Sequence, residues 1–178
     1  MQIGEAHYAL SNFPAAKRAI TKALGCFGET VRSGEFALSK KLSVWYAAYS
    51  CANVVKKAWR SRGDFYMEEK ARMTSVEKAR AWYRLAQISF VDNDPGMNLH
   101  CVFKGIHSAA KLGPSLELSN ALSSMIPLMS AQGFNRYAEL FSETTMQMSQ
   151  EVRSGEERRA ALRIFTRRWL ETCSLTPF

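Results

Sequence analysis

Hydrophobic side chains recur along this chain at the three- and four-residue intervals of an amphipathic helix. The clearest stripe occupies one side of a single helix: Trp45, Ala48, Ala52, Val55 and Trp59. Alternating runs of β-branched residues, which would indicate strands, are absent from the sequence. Because amphipathic helices must bury their apolar sides against one another, the pattern predicts an all-α protein of about seven to nine helices.

Short polar and glycine-containing segments separate the helical stretches and supply residues that begin and end helices. Asp94 before Pro95 predicts an N-cap with proline at the first helical position. Gly113 predicts a left-handed helix end, and Ser115 predicts the cap of the following helix. These signals divide the second half of the chain into short helices joined by tight turns.

Two further signals concern helix boundaries. Thr74 and Glu77 have the spacing of a capping box, which predicts that a helix begins at Thr74. Pro127 falls inside an otherwise helical stretch. Because proline lacks the backbone N–H that a helix interior needs, we expect a kink or a division of that helix.

Several stretches share a helix–turn–helix pattern in which small and large side chains alternate. The equivalent positions Leu85 and Met125 lie 40 residues apart. The pattern resembles a degenerate tetratricopeptide repeat, whose antiparallel helix pairs stack into an α-solenoid, and the alternative is an unrelated helical bundle. We divide the single helical repeat domain of residues 1–178 into a partial repeat (1–28), connecting helices (37–91), two repeats (76–112 and 115–150) and a terminal basic helix (151–172).

A narrower resemblance rests on two phrases, KARAWYRLAQISF at 78–90 and AAKLGPSLEL at 109–118, with Asn93–Asp94 between them. They resemble the tetratricopeptide-like region that follows the predicted ATPase in large class III adenylate or guanylate cyclases and protein kinase signalling proteins. The resemblance covers roughly residues 1–148. It implies a regulatory module that couples partner sensing to an ATPase and an output domain, so we expect a fragment of such a protein.

The sequence offers little material for catalysis. It contains no GxxxxGK[ST] phosphate-binding loop and no Asp pair in a strand context. His100 and His107 are seven residues apart, which does not suit a helical zinc site, and Asp92 with Asp94 lacks the remaining ligands of a calcium loop. We therefore expect a non-enzymatic chain without a cofactor or metal ion.

Positive charge is the strongest feature apart from the helical pattern. The formal net charge is +8, and the segment 40–84 carries eleven Lys or Arg against four Asp or Glu, a net +7. We take five residues as a candidate partner-binding basic face: Lys56, Lys57, Arg60, Arg80 and Arg84. This face could serve an acidic protein partner or a neighbouring domain of a larger protein. The alternative is a basic helical nucleic-acid-binding domain, because aromatic residues are interleaved with the cations.

The remaining sequence features predict a cytoplasmic location. No stretch has the length and hydrophobicity of a membrane span, and the first residues lack the pattern of a signal peptide. The four cysteines, Cys26, Cys51, Cys101 and Cys173, match no zinc or CxxC spacing. We expect them to be reduced thiols.

Overall fold

The computed structural model describes residues 2–31, 41–60 and 68–153, and the regular structure in these ranges is entirely helical. It comprises eight helices: α1 (Gln2–Ala9), α2 (Phe13–Cys26), α3 (Lys41–Arg60), α4 (Glu69–Val91), α5 (Pro95–Ala110), α6 (Leu116–Ser123), α7 (Met125–Ala131) and α8 (Asn135–Arg153). The prediction of an all-α fold is confirmed for the ranges described. The predicted terminal helix 151–172 lies almost wholly outside them.

Seven of the eight helices form three hairpins in chain order. The first hairpin is α1 with α2, the second is α4 with α5, and the third is the consecutive pair α6–α7 with α8. Each hairpin contacts the next one, because α2 packs on α4 and α5 packs on α6. Helix α3 is the exception to this order, since it packs on α5 and α7.

The three hairpins are built on the same three-residue turn. The middle residue of each turn is left-handed, with φ of 55° at Ser11, 54° at Asn93 and 77° at Gly133. The next amide donates to the carbonyl five residues earlier: Asn12 to His7 at 2.8 Å, Asp94 to Ser89 at 2.9 Å and Phe134 to Met129 at 2.9 Å. This bond satisfies a carbonyl that the end of a helix would otherwise leave free. The second and third turns are 40 residues apart, the spacing read from the sequence.

The predicted caps of the second half of the chain are confirmed. The Asp94 carboxylate accepts a hydrogen bond from the Met97 amide at 3.0 Å, and the Ser115 hydroxyl accepts one from the Leu118 amide at 3.3 Å. Gly113 has a φ of 70°, which any other L-residue would adopt only with strain. These three residues therefore fix where α5 begins and ends and where α6 begins.

Pro127 has the effect that the sequence predicts, whereas the capping box at Thr74 is wrong. A single residue, Ser124, separates α6 from α7, so the helix is divided one turn before the proline. Thr74 lies inside α4, and its hydroxyl donates to the Lys70 carbonyl at 2.9 Å. The helix starts at Glu69 instead, because nothing between Glu69 and Thr74 interrupts its backbone hydrogen bonding.

The core contains its largest side chains in the second and third hairpins, where Trp82 and Phe141 are completely buried. Gly105 of α5 lies where this helix approaches its neighbours most closely. A Cβ atom on Gly105 would lie 3.5 Å from the Trp82 Cβ and 3.9 Å from the Ala121 Cβ. A single methyl group would therefore fit at Gly105 in ordinary contact, whereas a larger side chain would meet both α4 and α6.

Candidate interaction surface

The structure distributes the candidate basic face over two helices. Lys56 and Lys57 lie on α3, and Lys57 is exposed. Arg60 is the last residue of α3, and its side chain lies outside the described part of the molecule. Arg80 and Arg84 lie one turn apart on α4. Helix α3 packs on α5 and α7, whereas α4 packs on α2, α5 and α6. The cations of α3 and those of α4 are therefore on helices with largely different neighbours.

Arg84 is bound on several sides within the protein. Its Nε lies 2.9 and 3.0 Å from the two carboxylate oxygens of Glu5, and its Nη1 donates to the Gln87 side chain at 2.9 Å. The guanidinium also lies 4.6 Å from the centre of the Tyr8 ring. Burial acts to lower the pKa of Arg84, but the hydrogen bond and negative charge of Glu5 outweigh it and raise that pKa. Arg84 thus links α1 to α4.

Other cations of this region also face carboxylates of another helix or of the segment that follows one. Arg80 donates to Glu117 of α6 at 3.0 Å, and it lies 3.6 Å from Glu77 of its own helix. Further pairs join Lys17 to Asp92 at 3.0 Å, Lys78 to Glu29 at 3.2 Å and Lys104 to Glu29 at 3.7 Å. Much of the predicted basic face on α4 therefore connects helices to one another.

A cavity of about 240 Å³ lies beside the turn between α4 and α5. The start of α3 and the end of α7 complete its walls. Val44, Leu99 and Leu128 supply apolar wall, while Asp94 and Asn98 supply polar groups. Asp94 is the only charged residue among those that line the cavity in the described part of the chain.

The sequence gives no direct sign of this cavity. It assigns Asp94 to helix capping and Pro127 to a helix break, and both assignments are correct. The same two residues also line the cavity, because the turn of the second hairpin lies beside α7 of the third. The available signal is the 40-residue spacing between the second and third turns.

Histidine and cysteine side chains are spread through the helices. Across the three described ranges, no three His, Cys, Asp or Glu side chains are grouped closely enough to hold a metal ion. The His100 ring contacts Trp82 edge-on, with 5.6 Å between the ring centres. The His107 Nδ1 donates to the Phe103 carbonyl at 2.9 Å, and burial lowers the pKa of this imidazole.

The two buried thiols are poor nucleophiles. Burial raises the pKa of Cys51 far above its ordinary value and raises that of Cys101 to about 12, although the nearby Ser89 hydroxyl partly offsets the latter. The thiolate is the reactive form of cysteine, so both side chains are unreactive at neutral pH. Cys26 is exposed, and Cys173 lies outside the described residues.

None of the helices in the described ranges has both the length and the apolar character needed to span a bilayer. Comparisons with protein-family models, with curated proteins and with solved structures find no match for this chain.

Proposed function

We propose that this chain is a non-catalytic helical-repeat module, a tetratricopeptide-like α-solenoid that binds a protein partner or a neighbouring domain. The observation that carries the proposal is the succession of three hairpins with the same turn, each packed on the next. Stacked hairpins form an extended surface, and such surfaces bind partners through many modest contacts.

Binding of a protein partner is supported by exposed apolar side chains at the ends of α1 and α4, the first helices of two hairpins. Leu10, directly after α1, is 78% exposed, and Phe90 and Val91, at the end of α4, are 67% and 59% exposed. Apolar side chains gain free energy when a partner removes them from water, at about 25 cal/mol for each Å² buried. A polypeptide lying along this edge would cover them.

The ion pairs of α4 favour this function over nucleic-acid binding. A phosphate backbone binds by displacing counterions from Lys and Arg side chains. Arg80 and Arg84 already face Glu117 and Glu5 at hydrogen-bonding distance. A nucleic acid would therefore have to break contacts between helices before it could use these two cations.

The resemblance to the regions that follow the ATPase of cyclase and kinase signalling proteins supports a regulatory role within a larger protein. In that setting the partner would be an adjacent domain of the same chain or a protein that signals to it. A reading frame for a cyclase or kinase with an ATPase directly upstream of this sequence would support that setting. The same reasoning predicts that the purified chain does not turn over ATP or GTP.

The proposed function is tested by selecting binders from a displayed random peptide library and measuring them beside single-stranded and duplex oligonucleotides. Titrations would be run at about 50 mM and about 500 mM KCl, which differ several-fold in Debye length. We expect selected peptides to lose less than about threefold in affinity, since apolar contacts are not screened by salt.

The rival function predicts the opposite pattern. Oligonucleotide binding that weakens by orders of magnitude over this range, in the absence of any selected peptide, would overturn the proposal. In that case, reversing the charge at the candidate residues with Lys56→Glu, Lys57→Glu or Arg60→Glu should abolish binding. Lys111→Glu, at an exposed lysine after α5, is the matched control for a simple loss of net charge.

A further inference from the structure

The cavity beside the α4–α5 turn has the size of a single side chain. Its volume of about 240 Å³ is smaller than the roughly 300–1,000 Å³ typical of pockets for drug-sized ligands. It is nevertheless several times the roughly 30 Å³ that one water molecule occupies in the liquid. One aromatic ring with its Cβ fits within this space, where it would contact the apolar side chains Val44, Leu99 and Leu128.

Asp94, one of the residues that line the cavity, has a carboxylate oxygen that its capping hydrogen bond does not use. The Oδ1 atom of Asp94 accepts the Met97 amide at 3.0 Å as the cap of α5. Within the described ranges no donor reaches the other oxygen of this carboxylate. An occupant that carries a hydrogen-bond donor is favoured beside this carboxylate. A purely apolar occupant would remove water from the charged oxygen without replacing its hydrogen bond, which costs free energy.

The charge of the cavity selects among possible occupants. Although the whole chain has a net charge of +8, Asp94 is the only charged residue lining this cavity in the described structure. The Asp94 carboxylate repels an anionic group, whereas a neutral hydroxyl on an apolar ring can donate to this carboxylate while the ring contacts the apolar wall. The phenol group of tyrosine has this composition.

The surroundings of the cavity favour a polypeptide as the carrier of that ring. Phe90 is one of the lining residues and is 67% exposed, and the adjacent Val91 is 59% exposed. Phe90 and Val91 would contact the residues of the partner that precede or follow the inserted side chain. Binding energy at protein interfaces is concentrated in such aromatic anchors in pockets.

We infer that this cavity is the anchor pocket of the module and receives a tyrosine side chain of the partner polypeptide, whose hydroxyl donates to Asp94. The inference rests on the proposed function and identifies the partner chemistry that its surface would recognise. It places the specificity of the module in the turn of the second hairpin and in α7, away from the basic residues of α4.

The test uses p-cresol and toluene, which are the tyrosine and phenylalanine side chains without a backbone. Binding is followed through the methyl NMR signals of Val44, Leu99, Leu128 and Ala131. We expect saturable shifts of these signals at about millimolar concentration, with p-cresol binding about tenfold more tightly than toluene. N-acetyl-tyrosinamide and N-acetyl-phenylalaninamide should show the same order, because the partner's backbone must be accommodated too.

Two variants distinguish the contribution of the Asp94 carboxylate to binding from the contribution of the cavity volume. Asp94→Asn keeps a side chain that caps helices equally well but removes the charge, so the preference for p-cresol should fall to less than about threefold. Ala131→Phe introduces a ring from an exposed position at the wall and should abolish binding of both probes. Asp92→Asn, two residues from Asp94 and not part of the wall, should leave the preference unchanged.

The inference is overturned if p-cresol gives no saturable shift, if the shifts fall on other methyl groups, or if toluene binds equally well. It is also overturned if p-cresol binds but N-acetyl-tyrosinamide does not. Selected peptides that bind Ala131→Phe as tightly as the parent chain would overturn the anchor pocket and leave the proposed function intact. Probe binding without any selected peptide would count against the proposed function, and with it against a polypeptide as the occupant, although the preference of the cavity for a phenol would stand.

Discussion

The junction between the first and second hairpins differs in chemistry from the junction between the second and third. In the described ranges, four ion pairs cross the first junction: Glu5 with Arg84, Lys17 with Asp92, and Glu29 with both Lys78 and Lys104. At the second junction, Gly105 of α5 lies beside Ala121 of α6, and the ion pair of Arg80 with Glu117 lies beside this apolar contact. The two junctions thus differ in the number of their ion pairs, while α2 also contributes the buried side chains Ile20 and Leu24 to the common core.

This difference predicts that the two junctions respond differently to salt concentration. Partly exposed ion pairs contribute about 0–1 kcal/mol each and are weakened by salt. Close apolar packing depends on dispersion and on water exclusion, which salt does not screen. We therefore expect the first hairpin to detach more readily than the third when ionic strength rises, which would make the array adjustable at one end.

The largest effect on stability should come from a bulky side chain at Gly105, where α5 packs against α4 and α6. Gly105→Leu adds a branched side chain where only a Cβ has room, so we expect a loss of about 1–3 kcal/mol or more in the free energy of unfolding. Urea denaturation followed by circular dichroism measures this loss.

Gly105→Ala is the matched control for that substitution. Its Cβ would meet Trp82 and Ala121 at ordinary contact distances, and alanine is favoured over glycine in a helix by about 1 kcal/mol. We expect this variant to be as stable as the parent or more so. A destabilised alanine variant, or a leucine variant of parental stability, would contradict the close packing of this junction.

An intermediate effect should follow from breaking the ion pair at the first junction. A double-mutant cycle with Glu5→Gln and Arg84→Met should give a coupling free energy of about 0.5–1 kcal/mol at low salt and less at about 500 mM KCl. Arg136→Met, at an exposed position of α8, controls for the loss of one cation. A coupling of zero at low salt would mean that the pair does not hold the junction.

The smallest effect concerns His107, which lies on α5 between the two junctions. Its folded pKa lies below the ordinary 6.5 because burial disfavours the charged ring. The folded state therefore binds a proton less readily, so stability falls as the pH drops through about 6.5. We expect His107→Gln to flatten the pH dependence of the unfolding free energy below neutrality. A His107 proton signal that titrates at or above 6.5 in the folded protein would contradict this expectation.

Local signals in the sequence were sufficient for the turns and helix ends. Asp94, Ser115 and Gly113 act through groups within three residues of themselves, so their roles can be read without knowing the fold. Pro127 acts through a missing N–H in its own helix, which is also local. Thr74 shows the limit of this approach, because the capping-box pattern also occurs inside helices.

The position of α3 and the ion pairs between helices depend on tertiary contacts and could not be predicted. The sequence places α3 between the first and second repeats, but its partners are α5 and α7. The carboxylate that binds Arg84 is 79 residues away in the chain. For the same reason the sequence identified the cations of α4 without showing that acidic side chains already face them.

Hydrogen exchange at two salt concentrations tests most directly whether the first junction depends more on ion pairs than the second. Amide protection of Ile20 and Leu24 in α2 would be compared with that of Val102 in α5 and Leu122 in α6, all of which are buried. Between about 50 and about 500 mM KCl, we expect exchange in α2 to accelerate by about tenfold, since screening weakens the four ion pairs of the first junction. Exchange in α5 and α6 should stay within about twofold. Equal salt dependence in all three helices would contradict the account of two chemically distinct junctions.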